Sequence, residues 1–125
     1  MKFNLQGLKN PGDIEKERVV IEILEDGNVG QLLVASTIQA DDNSVSPRIS
    51  TPYWIPDQDV KKGDLVIVYT KSGQKSNRKN ETDSSSYFFY IGMDSSIYDE
   101  SNKTTVVFDI SNWLFVHRDQ EEPQP

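Results

Sequence analysis

Apolar side chains in this chain recur at every second residue, in short runs separated by glycine, proline, asparagine and aspartate. Alternation of period two places one set of side chains on one face of an extended strand, whereas a helix needs them three and four residues apart. In Arg18–Leu24 the set Val19, Ile21 and Ile23 alternates with Val20, Glu22 and Leu24. A helix through residues 13–24 competes, because Asp13 is a capping residue and Glu15, Lys16 and Glu17 tolerate helix, but the β-branched cluster at 19–23 favours a strand. Gln31–Gln39 alternates again, with Leu32, Val34, Ser36 and Ile38 set against Leu33, Ala35, Thr37 and Gln39. Leu65–Thr70 is apolar almost throughout, as expected of a strand at the centre of a sheet. Tyr87–Met93, Thr104–Ile110 and Trp113–His117 read as further strands, and Ile97–Tyr98 as a brief pairing. Between Ser46 and Ile55, Pro47 and Pro52 lack a ladder donor, which suits an edge strand or an extended crossing. About seven short strands with turn chemistry between them predict an all-β fold, an antiparallel β-sandwich or partly closed barrel.

A length of 125 residues suits one core. Residues 1–117 are expected to form a single domain, with 1–14 a loosely ordered lead-in and the polar segment 118–125 a disordered tail. Thirteen basic and twenty acidic side chains give a net charge of −7, which repels phosphate backbones and anionic lipid and disfavours nucleic-acid or membrane partners. With no cysteine, the chain has no disulfide framework, thiol chemistry or Cys-ligated metal. No apolar run resembles a signal peptide or reaches the ~18 residues of a membrane span, so a soluble, cytoplasmic protein is expected.

The second half carries a resemblance. "VKKGDLVIVYT" at 60–70, the aromatic "YFFYIG" at 87–92 and "SSIYDESNKTTVVFDI" at 95–110 together resemble the later part of lamin-tail-type immunoglobulin-like domains, in which a glycine opens a strand of the form G-x-x-V-x-V-Y-T. The resemblance lies mainly in residues 60–116. Tyr98 stands where that family usually has tryptophan, and Glu100–Lys103 replaces its Gly-Asp turn. The resemblance implies an immunoglobulin-like sandwich that acts as an interaction module without catalytic residues.

Two stretches stand out as candidate surfaces. Lys71–Ser86 has no aliphatic or aromatic side chain and holds Lys71, Lys75, Arg78 and Lys79 before its first acid, Glu81. Loops beyond about 12–15 residues inside a compact domain are either functional or disordered. This one could wrap an acidic patch or be a solvated excursion, and without interleaved aromatics it lacks the stacking platform of a single-strand nucleic-acid binder. Tyr53 and Trp54, between Pro52 and Ile55–Pro56, put two large rings on the expected edge segment; exposed, they would anchor a protein or stack on a sugar, and buried, Trp54 would plug one end of the sandwich. Trp113, inside an alternating segment, is expected in the core.

Other motifs carry less. His117 is the only histidine, so a His-pair metal site is unavailable, and it reads as a surface residue. Asp41-Asp42-Asn43 and Asp57-Gln58-Asp59 lack the twelve-residue Ca²⁺ pattern and read as turns. Asn80-Glu81-Thr82 and Asn102-Lys103-Thr104 fit the glycosylation sequon, which has meaning only in a secreted chain. No nucleophile is linked to a base, so no catalytic, metal or cofactor residues are assigned. The leading expectation is a non-enzymatic protein-protein interaction module that uses an edge strand, Tyr53 and Trp54, and the 71–86 loop. A carbohydrate-binding module using Trp54, Tyr53, Tyr87 or Tyr90 is the alternative, and a small acidic inhibitor from a mobile element is a third.

Overall fold

A computed structural model of the chain describes residues 1–119; residues 120–125 of the expected tail lie outside the described residues. The strands are β1 (Phe3–Lys9), β2 (Arg18–Ile23), β3 (Gly27–Asn28), β4 (Leu32–Asp41), β5 (Ser44–Val45), β6 (Ser50–Trp54), β7 (Asp59–Val60), β8 (Leu65–Tyr69), β9 (Ser76–Lys79), β10 (Ser85–Tyr90) and β11 (Lys103–Asp109), with one 3-10 turn at Val29–Gln31. The fold is all-β, as the alternation predicts, with packed sheets and no closed barrel. The larger sheet has the order β1-β2-β8-β10-β9. In the smaller sheet β4 pairs with β11 along one edge and with β5 and β6 along the other, and β3–β7 is a separate short pair.

In β2 the inward residues are those the period-two pattern selects, and in the apolar run of β8 the structure chooses Val66 and Val68. Val19, Ile21 and Ile23 of β2, Val66 and Val68 of β8 and Phe89 of β10 meet Leu32 and Val34 of β4, and Val29, Ile55 and Val60 close the core from the connections. β8 is the middle strand of its sheet, in line with its apolar sequence. Among the described residues β6 pairs only with β4, in line with the missing ladder donor at Pro52. The alternative helix at 13–24 is reduced to one turn: Asp13 caps it by accepting from the Glu15 amide at 3.0 Å, and its carbonyl accepts from Glu17 at 2.6 Å before β2 begins.

Five expectations are corrected. The sheets are not wholly antiparallel, because β8 and β10 run parallel, with Val66 opposite Tyr87 and Val68 opposite Phe89. Parallel neighbours need a crossover of about a dozen residues or more, and the chain between Tyr69 and Ser85 supplies it by passing to the far edge, forming β9, and returning as β10 between β9 and β8. The supposed excursion at 71–86 therefore contains an edge strand. In the segment expected as a loose lead-in, Phe3–Lys9 forms the opposite edge, paired with β2 through a bulge between Leu5 and Gly7. Trp113–His117 forms no strand, and Ile97–Tyr98, though buried, pairs with none among the described residues.

What Ile97 and Tyr98 do instead involves Glu17, which is fully buried. Its Oε1 accepts from the Thr70 hydroxyl at 2.7 Å and the Ile97 amide at 2.9 Å. Its Oε2 accepts from the Gly12 amide at 2.7 Å, the Tyr98 amide at 3.2 Å and the Ser96 hydroxyl. Burial by itself pushes this carboxyl up, but hydrogen bonds from Ser96, Thr70, Gly12 and Ile97 outweigh it and hold the pKa below the ordinary 4.5. A carboxylate whose pKa is lower folded than unfolded stabilises the fold above the unfolded value and loses that contribution as pH falls through the folded one. Unfolding measured in urea should therefore show stability decreasing as pH falls below about 4.5, with Glu17→Gln flattening that dependence. Glu17→Ala leaves several buried donors unpaired and should cost about 3–5 kcal/mol in the same assay; a cost below about 1 kcal/mol would contradict this role.

Candidate interaction surface

The register of the smaller sheet separates Tyr53 from Trp54. Tyr53 lies opposite Val34 and packs half-buried against the core, where burial pushes its phenol pKa up. Trp54 lies opposite Leu33, and Phe108 lies opposite Leu33 on the other side. The row Trp54–Leu33–Phe108 thus crosses the outer face of the sheet, and Trp54 remains 42% exposed and Phe108 40%. Beside this row Leu33, Ile49, Phe108 and Ile110 line a shallow cleft of about 470 Å³.

Trp54 is fixed rather than loose. Its indole Nε1 donates to the Gly30 carbonyl at 2.7 Å, on the 3-10 turn, where a Cβ on Gly30 would come within 2.1 Å of Asp57 Oδ1. After β11 the Ile110 amide bonds the Gln31 carbonyl at 2.7 Å, and the chain runs to Trp113, whose ring meets Trp54 edge-on at 4.6 Å. Phe115 follows at 6.4 Å from Trp113. Trp113 was expected in the core; it is 54% exposed, and Leu114, Phe115 and Val116 are 89%, 75% and 84% exposed. Alternation marked this segment correctly as apolar, but no strand pairs with it among the described residues. Four consecutive large apolar side chains therefore stand beside an apolar sheet face.

The basic residues lie elsewhere, on the larger sheet. Tyr69 and Tyr90, neighbours on β8 and β10, stack at 5.3 Å with 12° between their planes. Arg18 and Lys71 sit over Tyr69 at 5.9 and 5.3 Å, and Lys71 also meets Glu15 at 3.6 Å. Gly73 lies so close to Tyr90 that a Cβ would come within 2.5 Å of the ring. Arg78 sits over Phe88 at 5.4 Å and Lys75 over Phe89 at 5.5 Å. Lys79, at the end of β9, borders an open cleft of about 910 Å³ that also contains Asp26, Asp59, Asp64 and Asp83. Lys71, Lys75 and Arg78 thus lie over the molecule's own rings, contacts worth ~0.5–1 kcal/mol each at exposed positions. The sequence-selected residues do not converge: Trp54 belongs to one outer face, Tyr53 to the core, and the cations to the larger sheet and its edge.

No group of three or more His, Asp or Glu side chains that could hold a metal ion occurs among the described residues, nor is any described helix long and apolar enough to cross a membrane. Leu33, Phe108 and the Trp113–Val116 segment were missed as functional candidates; the signal available was four successive large apolar residues, WLFV, next to a polar tail.

Trp54 contributes one hydrogen bond and one ring contact, so Trp54→Ala should keep a cooperative melt and lose about 1–2 kcal/mol in urea unfolding. A loss above about 3 kcal/mol would make it a core residue.

Comparison with protein-family models, with curated proteins and with solved structures finds no match to this chain.

Proposed function

We propose that this chain is a non-enzymatic protein-binding domain whose contact surface is the outer face of the smaller sheet together with Trp113–Val116. The observation that carries this reading is the continuity of apolar side chains from exposed Phe108 across half-buried Leu33 to the exposed rings of Trp54, Trp113 and Phe115. Contiguous exposed apolar surface of this kind marks interaction sites on soluble proteins, and aromatic anchors supply most of the binding energy at such sites. Trp54 is held by the Gly30 carbonyl, so little ordering entropy remains to be lost on binding.

The role expected for Lys71–Ser86 is reassigned: this segment closes the larger sheet and covers its rings. The carbohydrate alternative has less support, since the face of Tyr90 meets Tyr69 and Gly73, and Tyr87 packs against the core. The interaction-module role is also what the lamin-tail resemblance implied.

A photo-crosslinking phenylalanine analogue at position 115, with a control chain carrying it at Phe88 on the larger sheet, tests the reading. Irradiation in host lysate should give discrete protein adducts from position 115 and none from position 88. Adducts from position 88 alone, or from neither, would overturn it.

A further inference from the structure

Resting on that reading, we infer that the partner is a second copy of this chain, with each copy laying Leu114–Phe115–Val116 into the cleft beside Leu33, Ile49 and Phe108 of the other. A two-fold interface must be self-complementary, because one patch meets the same patch on its mate. This face supplies both halves of such a contact, an apolar cleft and an apolar strap.

The geometry turns the strap away from its own cleft. Ile110, Ser111 and Asn112 already form one wall of that cleft, and the chain then leaves it to reach Trp54. Returning would need a reversal within Leu114–Val116, where neither glycine nor proline occurs. Area points the same way. With whole-residue areas of ~150–250 Å² for aromatics, the exposed parts of Ile49, Trp54, Phe108 and residues 113–116 total on the order of 800 Å², about what one partner gives a standard interface. Asp109, which also lines the cleft, is paired with the Met1 ammonium at 2.5 Å, so its charge is balanced within its own chain rather than left facing the mate.

Charge gives the pairing a signature. Two chains of −7 each repel, and added salt screens that repulsion. Association of identical copies should therefore tighten from about 50 to about 500 mM salt, whereas binding to a basic partner would weaken.

Sedimentation of the full chain from about 1 to about 200 µM tests this. The expected result is a shift from 14.2 kDa to twice that mass, favoured by salt. Phe115→Asp in the strap or Ile49→Asp in the cleft should each weaken it roughly a hundredfold. Mixing these two variants should restore part of the association, because the mixed pair keeps one intact strap seated in one intact cleft. Both positions are exposed, and a cooperative melt of each variant confirms that it is folded. A wild-type mass of one chain throughout, or no rescue on mixing, overturns the inference. Binding of an apolar dye then separates two failures. Dye bound by monomeric wild type and lost in Phe115→Asp leaves the apolar face standing without the second copy; no dye binding removes the face as well.

Discussion

One buried carboxylate fixes how the parts of this molecule meet. Glu17 stands at the end of the single helical turn that leads into β2, and its two oxygens collect donors from Gly12, Thr70, Ser96, Ile97 and Tyr98. These lie in three stretches far apart in sequence: the link after β1, the end of β8, and the irregular segment before β11. A buried charge is tolerable only when its lone pairs are satisfied, so the carboxylate imposes a specific arrangement on all three. The Thr70 amide also bonds the Glu17 carbonyl at 3.2 Å, extending the β2–β8 ladder by one step. The segment at 96–98 is thereby held without joining a sheet, and it leads directly to β11 and the smaller sheet.

The two sheets solve the problem of their outer faces differently. The larger sheet carries Tyr69, Phe88 and Tyr90 outward, and they are covered by Lys71 and Gly73 from the chain between β8 and β9, by Arg78 of β9 and by Arg18 of β2. Long cationic side chains shield apolar surface with their stems and keep their charge in water. The smaller sheet has no such cover over Leu33, Trp54 and Phe108 among the described residues. Its nearest neighbour, Trp113–Val116, adds apolar surface rather than hiding it. This asymmetry, more than any single residue, places the proposed contact on the smaller sheet.

Much of the fold was legible because period-two alternation reports burial directly: Val19, Ile21 and Ile23 point inward as read, as do Leu32 and Val34 of one alternating set in β4, and the apolar run of Leu65–Thr70 lies mid-sheet. Strand partners were not legible, since the side-chain pattern of β8 and β10 is the same whether they run parallel or antiparallel. β1 was hidden because Gly7 breaks its alternation at the bulge. Trp113–Val116 was misread for a related reason: alternation identifies a segment able to bury a face, not the surface that will cover it. Lys71, Lys75 and Arg78 looked like a free cationic cluster because the rings beneath Lys71 and Arg78 come from β8 and β10, which only the crossover brings together. Glu17 carried no signal, being one acid among twenty.

Pairing of two chains through this face is tested most directly by amide hydrogen exchange followed by mass spectrometry, comparing dilute with concentrated protein. Peptides spanning 111–116 and the outer-face strands β6 and β11 are expected to gain protection at high concentration, while β9 and β10 stay unchanged. Protection appearing on β9 and β10, or no concentration-dependent protection anywhere, would contradict it.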